Sequence, residues 1–299
     1  MASTTTAEMP MFEVVPAQKT RWQRARRLAR RNPTGAFAMV LLVFLIVVAL
    51  FAPVIATHDP FSLNSTAVLA PPSGEHYFGT DNLGRDAYSR IVYGARISLY
   101  VGILSVALST GLGVPVGLIS AFAGKKVDYI IQRFNDAMFA FPTIILALAI
   151  VAALGKGVTQ VIIAVGVLGA PRTSRVVRAS ALGIMSMPYI EAARCMGAPS
   201  ARIIFRHVLP NVLAPVVVLA SAGFGGAILA EASLSFLGLG TPAPQPSWGG
   251  MLSGAAQQFV RSAPWLAIFP GLAISAAVFA FNLFGDSLRD ILDPRLRGS

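Results

Sequence analysis

The chain has 299 residues, 55% of them hydrophobic and only 12% charged, with 24 Lys and Arg against 13 Asp and Glu. A mean hydropathy of +0.67 excludes an ordinary soluble domain, in which about a quarter of the residues carry charge, and points to an all-α membrane protein. The formal charge of +11 is no argument for nucleic acid, because the cations flank apolar runs where membrane topology would put them.

In chain order, residues 1–35 form a basic cytoplasmic leader with seven Lys and Arg between Lys19 and Arg31. That run, with Trp22 and Leu28, reads either as an interfacial helix against membrane lipid or as a solvated tail serving only as a topology signal. The first of six expected spans covers about Ala36 to Ala56. A signal peptide cleaved after Val54-Ile55-Ala56 is the alternative, but the 35-residue leader and the 21-residue apolar stretch are both too long for one.

About 40 residues then follow outside, Thr57 to Arg96, rich in Pro, Gly, Asp and Asn. Within them Gly79-Thr80-Asp81-Asn82-Leu83-Gly84-Arg85-Asp86 is dense in turn formers and suited to Asp-to-backbone bonds. The segment is either a self-packed cap or a contact surface for something outside. Further spans are expected at about Ile97 to Ala123, Ala137 to Leu154 and Val158 to Pro171, the last extending past Arg172 toward Ala181 to reach spanning length. Gly113 and Gly117 form a small-x-x-x-small pair for close helix contact, and Pro115, Pro142, Pro215 and Pro270 can bend helices.

The segment from Ser186 to Asn211, within a polar loop of about 182–211, interrupts this apolar pattern with a basic helix pair. Pro188 suits a first helical position, Glu191 lies where the helix dipole favours negative charge, and Gly197 before Pro199 stops the helix and turns the chain. A second helix is expected from about Pro199 to Leu209, with Ile203, Ile204 and Val208 on one side and Arg202 and Arg206 on another. Small Ala192 and Ala193 permit close approach of a partner, and Leu209-Pro210 closes the segment.

Spans at about Val212 to Leu239 and Pro264 to Phe284 complete a domain of 36–285, followed by a cytoplasmic tail of 286–299. Between them Pro242 to Trp248 is an external loop whose Trp248, with Trp265, is expected to anchor at the membrane interface. With the N-terminus inside, 19 of the 24 Lys and Arg fall on the inner side, so both termini are expected in the cytoplasm. Glu231 is the one ionisable residue well inside a span. It is either a functional intramembrane acid or a buried residue bonded within the Ser233 to Gly240 turn.

Catalytic and energy-coupling motifs are absent. No phosphate loop occurs, since Gly155-Lys156-Gly157 lacks both the upstream glycine and the hydroxyl. His58, His76 and His207 are scattered without metal-site spacing, and Cys195, the sole cysteine, has no visible activating base. A bundle with no ion relay and no ATPase, but with a basic helix pair on its inner face, needs an external motor.

The run Glu191-Ala192-Ala193, three residues, Gly197 and the downstream Leu209-Pro210 resembles the coupling loop of the membrane subunits of ABC importers. His76 to Leu99, Glu231 to Leu252 and Phe281 to Arg297 are similar to stretches of the second permease subunit of oligopeptide, dipeptide and nickel importers. The resemblance runs from about Asn32 to Arg297, departing at Cys195 and Pro199, and implies a type I importer permease fold. It also implies that Glu191, Ala192, Ala193, Gly197, Arg202, Leu209 and Pro210 dock an ATPase subunit. The implied partners are a homologous permease subunit, two ATP-binding subunits that hold ATP and Mg, and an extracytoplasmic solute-binding protein. The substrate implied is a di- or oligopeptide, with nickel or another small solute as the alternative, in a bacterial or archaeal inner membrane. The rivals from different classes are a membrane-embedded hydrolase, which would require a nucleophile–base pair that the spans do not show, and an ion-coupled carrier using Glu231.

Overall fold

A computed structural model describes residues 32–253 and 258–292. The basic run Lys19 to Arg31 and residues 293–299 of the expected tail lie outside these residues. Among them every regular element is helical, and the bundle is built from α1 (Pro33–Leu50), α2 (Ala87–Phe122), α3 (Lys125–Phe139), α4 (Thr143–Leu154) and α5 (Val158–Met185). It continues through α6 (Pro188–Cys195), α7 (Ser200–Phe236), the short α8 (Trp248–Leu252) and α9 (Trp265–Leu292).

Helix α1 is apolar all round, as a lipid-facing span must be. Phe37, Val40, Val43 and Phe44 point outward, while Leu42, Leu45 and Ala49 pack on Ala95 and Leu99 of α2 and on Ile274, Ala277 and Phe281 of α9. Apolar surface loses nothing to lipid, so close fit and buried polar ties, rather than the hydrophobic effect, hold such helices together. The most extensive helix pairing is α2 on α5. A Cβ on Gly113 would stand 2.5 Å from Thr173 Cβ, and one on Gly117 would stand 2.5 Å from the Ser174 carbonyl oxygen. The small-residue pair read from the sequence is therefore a backbone-to-backbone crossing.

Among the described residues four helices are long and apolar enough to cross a membrane: α1, α2, α7 and α9. The expected third span, Ala137 to Leu154, is not one helix: the chain turns through 92° between α3 and α4. Pro142 disfavours helical geometry at Phe141, so α3 stops at Phe139, and only the 12 residues of α4 continue the apolar run. The bent pair raises the number of crossings to as many as five. Helix α5 does extend well past Arg172, to Met185, with Arg172, Arg175 and Arg178 in its second half.

The segment expected outside, Thr57 to Arg96, is shorter than expected, because α2 starts at Ala87, ten residues before Ile97. Asp86 caps it, Oδ2 accepting from the Ser89 N–H at 2.7 Å. The buried Arg90, polar enough to look like loop, sits inside this helix and donates to the Pro60 carbonyl at 2.9 Å. Asp81 organises the turn before it, accepting from the backbone of Leu83 at 2.9 Å and of Arg85 at 3.0 Å and from Arg85 Nε at 2.7 Å. The result is a self-packed cap.

Trp248 does not face lipid as an interface anchor would. Trp248 is buried and donates to the Ile91 carbonyl at 2.9 Å, and the half-buried Trp265 donates to the Thr80 carbonyl at 3.2 Å. An indole N–H out of water needs an acceptor, which Trp265 finds in the cap and Trp248 finds by sharing a helical carbonyl of α2. Trp265 thus fastens the cap to α9, and Trp248 fastens α8 to α2.

Candidate functional site

At the opposite end, Pro188 opens α6, Glu191 lies in its first turn and Arg194 in its last. Its stop is a Schellman motif: the Ala198 N–H reaches the Ala193 carbonyl at 3.0 Å and the Gly197 N–H reaches the Arg194 carbonyl at 2.9 Å. Gly197 takes φ +78°, the left-handed conformation such a stop requires. Ile190 is fully buried against Ile203, Val208 and Val212 and against Leu118 and Ile184 of the longer helices. That apolar seam holds the hairpin onto the bundle and turns its other side outward. Glu191, Ala192, Arg194, Cys195 and Met196 are exposed, Met196 to 87%, as are Arg202, Phe205 and Arg206 on the second arm.

The second arm is not a separate helix ending at Leu209. From Ser200 to Phe236 the helix is unbroken, with one widened π turn at Ile204–Val208. Pro210 has no N–H to give the helix ladder, and the wide turn just before it makes room for the ring. Asn211 Nδ2 donates to the His207 carbonyl at 2.6 Å across the same stretch. The structure therefore brings Glu191, Ala192, Ala193, Gly197 and Arg202 together at one end, whereas Leu209 and Pro210 lie further along the continuous helix.

Further along that helix an open groove of about 620 Å³ is framed by α2, α4, α5 and α7. Its walls are mainly aliphatic, with hydroxyls from Ser105, Ser109, Thr110, Thr143 and Thr173 and the exposed cation of Arg172. Such a lining gives hydrogen-bonding groups and one positive charge in an otherwise apolar cleft, suited to a small polar or anionic solute. Sequence reasoning missed it because its walls come from four helices. The signal available was the run of hydroxyls in the apolar α2.

Glu231 does not line this groove. It is buried to 1% exposure and accepts from Ser235 Oγ at 2.7 Å and from Ser98 Oγ of α2 at 3.2 Å. Its partners are hydroxyls rather than the backbone of the Ser233 to Gly240 turn, and the contact ties α7 to α2.

A second polar tie lies toward the hairpin end of the helices. Arg178 of α5 grips Asp128 of α3 with two bonds of 2.5 Å, and Ser120 of α2 donates to the same carboxylate. The Arg178 guanidinium holds the Asp128 carboxyl below its usual range. Arg175 pairs with Asp136 and lies over the Phe139 ring at 4.6 Å. These ties hold the amphipathic α3 across the end of the bundle. Among the described residues one group has the make-up of a metal site, His58, His76 and Asp86 in the cap. Histidines that look scattered in the sequence meet there.

A family model described as binding-protein-dependent transport system inner membrane component matches residues 113–298, and one for the N-terminal membrane domain of oligopeptide transport permease C matches residues 20–72. The chain is 44% identical to a dipeptide transport system permease protein of Alkalihalophilus pseudofirmus, over 92% of this chain and 90% of that one. It is 42% identical to a glutathione transport system permease protein of Pectobacterium atrosepticum, over 93% of each. Among solved structures, an inward-facing methionine ABC transporter superposes with a TM-score of 0.58 at 20% identity, covering 68% of this chain and 96% of that chain.

Proposed function

The chain belongs to the family of binding-protein-dependent transport system inner membrane components, and from that membership we propose that it carries peptides inward through half of a shared pathway. As a permease of an ABC importer it is a multi-pass membrane protein of a transport family rather than an enzyme family. Dipeptides and small peptides of glutathione type are the substrates proposed, in keeping with relatives at 42–44% identity.

One observation carries the mechanism: the same unbroken helix, Ser200–Phe236, bears Arg202 and Phe205 on its exposed end and lines the groove with Leu219, Gly223, Ala230 and Ser233. An ATP-binding subunit closing against Glu191, Ala192, Ala193 and the Gly197 turn moves that wall of the groove directly. In this reading two such subunits hold ATP and Mg, a homologous permease completes the groove, and an external binding protein delivers the peptide. This chain itself catalyses nothing. Six crossings and cytoplasmic termini follow from the Lys and Arg distribution, with α5 and the bent α3–α4 pair completing the count. The ion-carrier reading is disfavoured because Glu231 is satisfied by two hydroxyls and stands off the groove.

The test is reconstitution of the complete complex in proteoliposomes, with labelled dipeptide and glutathione supplied to the binding protein. Uptake should require ATP, survive collapse of the proton gradient and persist in Glu231→Gln. Uptake that ignores ATP and disappears with the gradient in wild type, or with Glu231→Gln, would establish the carrier instead.

A further inference from the structure

We propose that His58, His76 and Asp86 form a binding site for a divalent first-row transition-metal ion, zinc(II) foremost, at the end of the bundle opposite the coupling hairpin. The location follows from α2, which begins at Ala87 beside this group, while Leu118 and Phe122 near its other end pack in the hairpin's apolar seam. A helix of that length spans about 54 Å.

The donor set is what zinc prefers, two imidazoles and one carboxylate. Asp86 divides its oxygens. Oδ2 is committed to the Ser89 N–H, while Oδ1 faces both rings, 2.9 Å from His76 Nδ1 and 3.9 Å from His58 Nδ1. The two rings lie 4.8 Å apart, tilted by 38°, and the three donor atoms lie within 4.8 Å of one another. Tetrahedral zinc with bonds of about 2.0–2.2 Å sets its ligand atoms roughly 3.4 Å apart, so shifts of about an ångström at His58 bring the set to coordination distance.

Helix capping alone accounts for Asp86 and its contact with His76. It does not cover His58, whose Nδ1 stands 3.9 Å from the same oxygen and would give up its 3.0 Å hydrogen bond with Thr57 Oγ1 to take the ion, while its backbone N–H stays held by Ser89 Oγ at 3.0 Å. Nor is Asp86 neutralised by a fixed cation, because the neighbouring Arg85 and Arg90 both turn to Asp81. His58 is half-buried beside an open depression lined by Asp59 and Tyr93, which gives the ion a route in and leaves room for a water as fourth ligand. The donors come from three places: just past the first span, the middle of the cap, and the start of α2. A bound ion therefore clips the first two spans to the cap.

Zinc chloride titrated into the purified full-length chain, carrying a tag without histidine and competed against a chromophoric chelator, tests this. One ion per chain is expected, with a rise in the thermal unfolding midpoint on zinc addition. Losing a supporting partner alone typically costs 10–100-fold in metal affinity, so His58→Ala should weaken binding at least about tenfold and abolish the thermal shift. His207→Ala, in the coupling hairpin, should change neither. Because His76 is buried, the half-buried His58 carries the test. Wild-type affinity in His58→Ala, or no one-to-one binding by the wild-type chain, overturns the assignment.

Discussion

Gly197 separates backbone from side-chain effects at the coupling hairpin. Its φ is +78°, and no heavy atom lies within 4 Å of where a Cβ would stand, so substitution meets no steric neighbour within the chain. The cost is conformational: about 1–2 kcal/mol for alanine in the left-handed region, less for asparagine, which visits it more readily, and more for β-branched valine. Since 1.4 kcal/mol is tenfold, alanine makes the Schellman stop roughly 5–30-fold less favourable. If the ATPase subunit docks only on the formed turn, its affinity falls by at most that factor. Two readouts check this in nanodiscs, the dissociation constant for the ATPase subunit and peptide-stimulated ATP hydrolysis. Affinity and hydrolysis should both rank Gly above Asn above Ala above Val. An asparagine variant as impaired as valine would refute the backbone argument in favour of size at the docking surface. Full substrate-stimulated hydrolysis by Gly197→Arg would remove the coupling role altogether.

Cys195, the sole cysteine and exposed beside Met196, is a built-in reporter: a membrane-impermeant maleimide should label it only from the cytoplasmic side, and ATPase subunits should protect it. Labelling from outside would invert the proposed topology. Gly117→Leu should cost about 3 kcal/mol, the upper end for overpacking, because its Cβ would meet the Ser174 backbone oxygen at 2.5 Å. Gly111→Leu, with nothing within 4 Å, should be nearly neutral, and fluorescence-detected size exclusion after a heat step compares them. Arg178→Ala should cost no more than about 1 kcal/mol, since the pair with Asp128 is partly exposed. The Asp128 carboxyl is depressed, so its contribution is fully present above the ordinary carboxylate value of about 3.9 and is lost as pH falls through the lower folded value. The midpoint difference between Arg178→Ala and wild type should therefore stay constant from pH 8 to about pH 5, and a difference that shrinks across that range would count against the ion pair.

The sequence was most legible where one residue's local chemistry decides the backbone. Gly197 with Pro199 announces a stop and a turn, and Gly113 with Gly117 announces a close crossing; both are present. It was least legible where polarity and helix part company. Arg90 and Arg96 look like loop, yet both lie in α2, because Asp86 starts that helix outside the apolar run and the Pro60 carbonyl satisfies Arg90. The amphipathic α3 was hidden for the same reason, its charged face having been read as connection. Pairings remote in sequence leave no local trace. Glu231 and Ser98 are 133 residues apart, Arg178 and Asp128 are 50 apart, and the groove takes its walls from four helices. Nor does local sequence show that Trp248 hydrogen-bonds to α2 and Trp265 to the cap.

The continuity of Ser200–Phe236 bears most on the proposed coupling. A helix of 37 residues is about 55 Å long, so a tilt of about 5° about its middle carries each end through about 2.4 Å. For that motion to reach the groove, the hairpin must not slide on the helix. Ile190 prevents it, being fully buried against Ile203, Val208 and Val212, so α6 and the first turns of α7 form one packed unit. The π turn at Ile204–Val208 and Pro210 lie within that unit, where side chains from α2, α5 and α6 hold the widened helix in shape. Beyond it Pro215 is the next point at which the ladder lacks a donor, and it comes before Leu219, the first residue of α7 to line the groove. Bending is thus easiest between the hairpin unit and the groove wall, and the stretch from Leu219 to Ser233 moves as a body. Glu231, tied to Ser98 near the far end, holds that end of the body against α2.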